Sequence, residues 1–498
     1  MVSKKIIKRG VCMLLFDLLC GADYEILAGG NIEITDVCID SRKAVSGSLF
    51  VCLEGTSVNR HDFIVSAVKL GASAVICYEK EHEFPEGITV VYVEDARIAM
   101  NFIADNYFGH PAQGMKIYGV TGTNGKTSIT YFLEEVLTRA GRKCGIIGTT
   151  GIVINGRKSE LTFDTATSPD TYDIYRIFAE MKKESVTDVI MEITSHALAL
   201  RKITNVSFDA AIFTNLTQDH FDYHHTFDNY RDAKAKLFKM CKLAVINSDD
   251  PYGEYMLNSS AGRAVTYGIK KKCGCRAREI KYAADGTRFT FSYGEADYET
   301  IINIPGEFTV YNVMAVITTA LEIGIPVDIV KDAVSGLRGV PGRMQQIPNN
   351  LGIAVIVDYA HSPDGLKNII MSVREFTDGR VIAVFGCGGD RDRAKRPIMG
   401  EIAGTLADYC VLTSDNPRSE EPTEIIREIE IGVKNTDCAY KKEADRREAI
   451  SLAIREAQPG DSVIIAGKGH ENYQEFEHGR RIFFDDVVIA AEILEGKN

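Results

Sequence analysis

No stretch of this 498-residue chain approaches the roughly 20 consecutive apolar residues that a helix needs to span a bilayer. The basic start Lys4-Lys5-Ile6-Ile7-Lys8-Arg9 is followed by an apolar run, Val11 to Leu19, that Asp17 interrupts and that lacks a small-residue cleavage pattern. Neither membrane insertion nor a secretory leader is expected. CxxC pairs are missing too. The 12 cysteines are scattered from Cys12 to Cys438, and Cys273-Gly-Cys275, the nearest approach to a ligand pair, has no second pair beside it. Structural zinc and a disulfide framework are therefore not expected, and scattered thiols fit a reducing cytoplasm. There is no excess of positive charge: a net charge of −12 argues against a general nucleic-acid binder, while leaving room for local basic clefts around anionic substrates. Internal repeats and low-complexity tracts are absent as well.

What is present is an ordinary globular composition, 45% hydrophobic and 25% charged, at a length that typical domain sizes divide into about three domains. Short β-type runs, Ser48 to Leu53 and Ala74 to Cys77, surround a helical stretch near Ile64 to Leu70, giving a small α/β unit. After Gly109-His-Pro-Ala-Gln-Gly114, Met115 to Val120 reads as a buried strand, and from Ser128 the residues Ile129, Phe132, Leu133, Val136 and Leu137 fall on one helical face. Strand patterns at Lys143 to Ile147, Asp188 to Ile193, Ala210 to Phe213 and Leu243 to Asn247 alternate with helical ones, as in parallel sheets with crossover helices. Arg288 to Tyr293 and Tyr298 to Ile304 read as more antiparallel. Beyond Gly339-Val-Pro-Gly-Arg343, strands at Ala354 to Val357, Val381 to Phe385, Tyr409 to Leu412 and Ser462 to Ala466 suggest a second doubly wound unit. The expected fold is α/β with three domains, at residues 1–110, 111–343 and 344–498: a small N-terminal α/β domain, a central P-loop-type, mostly parallel sheet, and a C-terminal Rossmann-like domain.

The strand ending at Val120 runs into Thr121-Gly-Thr-Asn-Gly-Lys-Thr127 and then a helix, the context expected of a phosphate cradle. Glycines let backbone N–H groups approach the oxygens, the helix N-terminus favours negative charge, and Lys126 supplies a point charge. Thr127 is then placed to hold Mg²⁺. The strict GxxxxGK[ST] form would need glycine at Val120, so the loop is a variant of that motif.

The same loop resembles the ATP loop of the Mur ligase and folylpolyglutamate synthetase superfamily, and further resemblances follow in order. Met191-Glu-Ile-Thr-Ser-His-Ala-Leu198 is similar to the family segment whose glutamate binds magnesium. Asn215-Leu-Thr-Gln-Asp-His220-Phe-Asp222 is similar to the one whose histidine binds a second magnesium, and Tyr230 to Phe238 resembles the stretch whose lysine, here Lys234, is carbamylated. Singly, Glu192 would equally suit a strand-end acid, His220 a turn and Lys234 an exposed helix face. The resemblance implies ATP as co-substrate, two Mg²⁺ ions held by Thr127, Glu192, His220 and carbamylated Lys234, and catalytic roles for Lys126, Glu192, His220 and Lys234. It places Gly122, Thr123, Asn124, Gly125, Lys126 and Thr127 at the nucleotide, with Asn312 of Gly306-Glu-Phe-Thr-Val-Tyr-Asn312 and Arg343. Activating a carboxylate by phosphoryl transfer concentrates negative charge, which explains the gathering of cations.

Within the family, Asp40-Ser-Arg42 and Gly47-Ser-Leu-Phe-Val51 look like the uridine-nucleotide segment of the synthetases that add the third residue of the peptidoglycan stem peptide. Val357 to Asp364 and Gly386-Cys-Gly-Gly-Asp-Arg-Asp392 extend the resemblance, and Asp415-Asn-Pro-Arg418 resembles the segment of those members that add meso-diaminopimelate. The resemblance implies UDP-N-acetylmuramoyl-L-alanyl-D-glutamate as acceptor, held by Ser41, Arg42, Thr167, Ser168, Thr194 and Lys202. Meso-diaminopimelate is implied as the amine, held by Arg391, Asp415, Asn416, Pro417, Arg418, Gly467 and Glu471. Diaminopimelate differs from lysine by one carboxylate, which a guanidinium binds bidentately. A cytoplasmic monomer is expected.

Some positions depart from the family pattern. Thr194-Ser195-His196 stands for Ser-Ser-His, Leu200 and Lys202 for glutamine and arginine, Ala166-Thr-Ser-Pro169 for Asn-Thr-Thr-Pro, and Thr309 for asparagine. All are expected on the side that would hold the acceptor. Three alternatives stay open: a paralogue adding lysine or another amine, a folylpolyglutamate-type ligase, and a nucleotide-binding scaffold without catalysis.

Overall fold

Residues such as Val189, Ile190 and Met191, or Ile464 and Ile465, are apolar in succession because their strands are covered on both faces, the condition for parallel sheets flanked by helices. The computed structural model describes residues 12–54, 59–163, 165, 167–217, 221–224, 226–283 and 286–496. Among them, the first sheet has five strands, in the order Glu25–Ala28, Thr89–Tyr92, Ala72–Cys77, Ser48–Val51 and Asp36–Cys38. Helix Ala96–Tyr107 follows it and packs on helix Thr171–Lys183 of the next unit through an apolar cluster that includes Ile103, Ile174 and Phe178.

The central sheet has eleven strands among the described residues. Lys116–Thr121 lies in its interior, with Asp188–Glu192 parallel on one side and Ala210–Phe213 parallel on the other. Helix Lys126–Arg139 buries the five residues of its expected apolar face, Ile129, Phe132, Leu133, Val136 and Leu137. The antiparallel strands Gly286–Tyr293 and Ala296–Ile302 do not stand apart from the parallel ones. Two strands not anticipated from the sequence, Arg263–Gly268 and Cys275–Ala283, pair in parallel at Tyr267 with Cys275 and carry the hairpin into the same sheet.

A six-stranded sheet completes the chain, in the order Gln345–Ile347, Ala354–Asp358, Ser462–Ala466, Val381–Phe385, Tyr409–Leu412 and Ala439–Lys442. All pairings are parallel except that of the edge strand Gln345–Ile347. That edge strand and Ala439–Lys442 were not anticipated either: both are short, and the second, Ala-Tyr-Lys-Lys, is largely exposed. In the two larger sheets the order of strands reverses around Lys116–Thr121 and around Ser462–Ala466. Open α/β sheets bind ligands beyond the carboxyl ends of strands at such switch points. No helix among the described residues is long and apolar enough to cross a membrane.

Candidate active site

Three strand ends meet at the first switch point. Lys116–Thr121 runs into the glycine loop, where Gly122 and Gly125 take φ of 152° and 87°, backbone that side chains rarely adopt. Close packing makes the same demand: a Cβ on Gly122 would lie 1.8 Å from Thr214 Oγ1, and one on Gly125 would lie 2.5 Å from Asn312 Oδ1. The loop is stitched to the end of strand Ala210–Phe213. Thr123 N donates to Asn215 O at 2.9 Å, Asn124 N to Asn215 Oδ1 at 2.9 Å, and Thr214 Oγ1 to Asn124 O at 2.6 Å. Asn312, expected at the nucleotide, thus backs the loop itself.

Lys126 opens the following helix and turns its ammonium back onto the loop, donating to Gly122 O at 2.9 Å and Thr123 O at 2.8 Å. Lys234, buried in helix Phe227–Ala235, donates to the same Gly122 carbonyl at 2.9 Å and lies 4.7 Å from the centre of the Tyr230 ring. The Tyr230 hydroxyl is 3.0 Å from Thr123 Oγ1. Two cationic side chains therefore meet at one carbonyl oxygen.

Glu192 ends its strand 1% exposed. Its carboxylate accepts from Thr127 Oγ1 at 3.1 Å, from Thr149 N at 3.0 Å and from Thr149 Oγ1 at 3.0 Å. A Cβ on Gly148 would fall 2.2 Å from Glu192 Oε1, so this approach needs glycine there. Of the expected catalytic group, Lys126, Glu192 and Lys234 are brought together, with Thr127 of the expected metal ligands beside them; His220 and the substituted Ala166 lie outside the described residues.

The expected acceptor residues divide. Thr167, Ser168 and Thr194 adjoin Glu192: Thr167 Oγ1 is 3.1 Å from Thr149 Oγ1, Ser168 Oγ donates to the Glu192 carbonyl at 2.9 Å, and Thr194 N donates to Ser168 Oγ at 3.1 Å. The hydroxyls of Ser168 and Thr194 thus serve this corner of the site directly. Lys202 is 6% exposed and turns its amine to Asp170, 3.5 Å away. Ser41 and Arg42 sit on the N-terminal unit in a short 3₁₀ turn. There the exposed Arg42 guanidinium binds Asp40 and, chiefly through that hydrogen bond, lowers its carboxyl to about 2.

The expected amine residues gather at the second switch point. Asn416 Nδ2 donates to Glu471 Oε2 at 2.9 Å. Arg418, at φ 51°, donates from Nη1 to Gly389 O at 2.8 Å and places Nε 3.3 Å from Glu475. A Cβ on Gly467 would meet Asp415 Oδ2 at 2.4 Å, an oxygen that is buried without a hydrogen-bond partner among the described residues. Arg391 is exposed and, among the described residues, donates to its neighbour's carbonyl, Asp390 O, at 3.2 Å. Burial, reinforced by the charges of Arg343 and Lys158, lowers the imidazole of His470, in the turn before Glu471, to about 4. Gly342 packs against the same turn, where a Cβ would lie 2.1 Å from His470 N, and Arg343 stacks 4.6 Å from the centre of the Tyr359 ring.

The Mur ligase middle domain matches residues 120–320, the Mur ligase glutamate ligase domain residues 342–469, and the Mur ligase family catalytic domain residues 33–107. The chain belongs to the Mur ligase family. It is 46% identical over 97% of its length, and 99% of the relative's, to UDP-N-acetylmuramoyl-L-alanyl-D-glutamate–2,6-diaminopimelate ligase of Caldanaerobacter subterraneus subsp. tengcongensis. A solved structure bearing the same enzyme name superposes with a TM-score of 0.68 at 32% identity, covering 95% of this chain and 97% of that one. The fold is also shared, at 18% identity and a TM-score of 0.62, with the MurF ligase from Thermotoga maritima in complex with ADP, covering 93% of this chain and 97% of that one.

Several residues of this Mur ligase that shape the site carry no signal of their own in the sequence. Thr149 is an ordinary turn residue until the fold sets it on Glu192. Lys468, fully buried, donates to Asn416 Oδ1 at 3.0 Å and Glu471 Oε2 at 3.1 Å, and its place between Gly467 and Glu471 was the available hint. Arg446, at the start of helix Arg446–Glu456, forms a fully buried pair with Asp486 at 2.7 Å and donates to Ala466 O at 3.0 Å and Ser414 O at 3.3 Å. It thereby ties the two loops of the amine site together from beneath. Removing one member of a buried pair strands the other charge, so Asp486→Ala is expected to destabilise the protein by roughly 3–5 kcal/mol. Denaturant unfolding checks this, and a loss below about 1 kcal/mol would show that the pair does not hold these loops.

Proposed function

We propose that this Mur ligase joins meso-diaminopimelate to the γ-carboxylate of D-glutamate in UDP-N-acetylmuramoyl-L-alanyl-D-glutamate, using ATP, in the cytoplasmic synthesis of peptidoglycan precursors. One observation carries the reading: Thr127 of the phosphate loop and Thr149 hold the buried Glu192 carboxylate, and the segment that leaves this unit packs Gly342 against His470 of the loop cluster that contains Glu471 and lies beside Arg418. This packing supports a reading in which carboxylate activation and amine capture share one cleft. We assign residues 1–110 to the uridine nucleotide, 111–343 to ATP and 344–498 to the amino acid.

The donor set around Glu192 fits a hard divalent cation, because a carboxylate and the Thr127 hydroxyl, both oxygen donors, converge at 3.1 Å. Glu192 and Thr127 would hold Mg²⁺, with His220 and a carbamylated Lys234 completing two sites. Bound there, Mg²⁺ supplies charge neutralisation along the phosphates. The shared carbonyl of Gly122 gives the carbamate a physical rationale: converting the Lys234 ammonium into an anion replaces its repulsion of Lys126 by attraction.

In the reaction, Lys126 and the N–H groups of the helix it opens receive the β- and γ-phosphates. The γ-phosphoryl group passes to the D-glutamate γ-carboxylate, giving an acyl phosphate and ADP. The neutral amine of diaminopimelate then attacks the acyl carbon, phosphate leaves with its C–O bond, and the nitrogen sheds a proton. Thr167, Ser168 and Thr194 orient the acceptor, while Arg418, Asn416 and Glu471 present the amine. Bringing the two together in a closed cleft supplies proximity and keeps water from the acyl phosphate. The test is the mass of the product formed from the acceptor, meso-diaminopimelate and Mg-ATP. A gain of one diaminopimelate less one water is expected; no gain ends the reading, and a preference for lysine corrects the amine.

A further inference from the structure

The acceptor carries a second charge that the reaction leaves alone. Once the γ-carboxylate is activated, D-glutamate still presents an α-carboxylate, and a buried anion needs a cationic or N–H partner. Lys202 occupies the acceptor position where an arginine is common, but its ammonium is committed to Asp170 Oδ2 at 3.5 Å. Asp170 in turn accepts from Thr171 N at the start of helix Thr171–Lys183, two residues after Ser168.

A second cation reaches the same Asp170 from the N-terminal unit. Arg97, in the first turn of helix Ala96–Tyr107, has Nη1 3.7 Å from Asp170 Oδ1 and donates from Nη2 to Glu54 O at 2.8 Å. Its side chain is only 11% exposed. Among the described residues its Nε and Nη1 are buried with no hydrogen-bond partner. Leaving two guanidinium nitrogens in that state is expensive unless a ligand completes them.

The placement is rigid. Asp95 accepts from Arg97 N and Ile98 N and pairs with Arg201, while Asn101 Nδ2 donates to both Arg97 O at 2.8 Å and Arg201 O at 3.0 Å. The turn that carries Lys202 is therefore locked to the turn that carries Arg97. The Arg97 charge also reaches the Tyr223 hydroxyl, and the Tyr223 ring lies 4.2 Å from that of His196, just beyond Thr194. Asp170 offsets one of the two cations beside it, which leaves one positive charge to meet one anion at the edge of the Ser168–Thr194 corner.

We propose that Arg97 binds the α-carboxylate of the acceptor's D-glutamate, supplying from the N-terminal unit the guanidinium that position 202 lacks. This rests on the function proposed above. The test compares two acceptors, the natural one and its α-carboxamide, which carries D-isoglutamine and keeps the reacting γ-carboxylate. The parent ligase should favour the carboxylate acceptor by at least about 30-fold in kcat/KM, because a site built for a charged hydrogen bond rejects the analogue that lacks it. In Arg97→Gln the preference should fall to within about 3-fold, through a higher KM for the carboxylate acceptor alone, with KM for ATP and for diaminopimelate unchanged. Arg97→Lys, which keeps the charge and loses the planar fork, should lie between them.

A role confined to joining the units would lower both acceptors in parallel and preserve the preference, and that result overturns the proposal. So does a parent enzyme that uses both acceptors equally, a measurement that needs no folded variant. Absence of product from either acceptor in the parent enzyme marks failure of the underlying reading instead.

Discussion

Lys126→Ala protein is expected to make the amide at least about 10³-fold more slowly than the parent enzyme while remaining folded. The reason is the nature of the step: phosphoryl transfer needs little covalent help and depends on charge placed around the phosphates. Lys126 sits at the N-terminus of helix Lys126–Arg139, where its ammonium already spans the loop between Gly122 O and Thr123 O. On the proposed reading, arriving phosphate oxygens would take the place of those carbonyls, so the lysine would both order the loop and neutralise the phosphates. Lys126→Arg should not restore turnover, because the guanidinium is larger and planar where the loop closes around a compact ammonium. Single-turnover ADP formation is the discriminating measurement, with thermal unfolding as the folding control. Retention of more than about a tenth of the parent rate by Lys126→Ala would remove the loop from the chemistry.

How much of this was legible in the residue order depends on how local each piece is. The phosphate loop is seven consecutive residues bounded by a strand and a helix, so its chemistry can be read in place. The helical face from Ile129 to Leu137 and the strands Val381–Phe385 and Ser462–Ala466 are equally local, and they emerge as anticipated. The partners of Glu192 are not local. Thr149 lies 43 residues before it, and only the parallel pairing of Asp188–Glu192 with Cys144–Gly148 brings the two together. The same holds for the hairpin Gly286–Ile302, whose alternating pattern announces antiparallel strands but not which sheet they extend.

Charge pairing is the other thing that sequence conceals. Lys202 reads as a cation available to the acceptor because its neighbours in the chain do not reveal Asp170, which lies 32 residues earlier and takes up its charge. Arg97 carries no sequence signal of its own: it belongs to the first structural unit, and what sets it apart is the placing of its guanidinium between Glu54 and Asp170. Lys202 thus takes its role from a contact inside the central unit and Arg97 from one between units, whereas Arg418 and its neighbours acquire theirs within the C-terminal unit.

Arg418→Ala is expected to reduce kcat/KM for meso-diaminopimelate by about 10³ and to abolish any preference for it over lysine. The guanidinium is held from two sides in the present geometry. Gly389 O accepts from Nη1 at 2.8 Å, and Glu475 stands 3.3 Å from Nε while also facing Arg481 at 3.5 Å. A Cβ on Gly388 would lie 3.0 Å from Nη1, so the glycine pair leaves room along this edge of the fork. Behind the glycines, the fully buried Arg396 bonds Gly388 O, Glu420 and Glu428, which fixes the loop against Arg418. On the proposed reading a distal carboxylate entering here would find oriented donors, whereas lysine would leave a partly buried cation paired with Glu475, which Arg481 shares. Discrimination should therefore come from the arginine's geometry as well as its charge, and Arg418→Lys should recover only a small part of the loss. Measuring both amines with both variants at saturating ATP separates the possibilities. Equal losses for diaminopimelate and lysine would make Arg418 a general support of the loop, and persistence of the diaminopimelate preference in Arg418→Ala would place recognition of the distal carboxylate elsewhere.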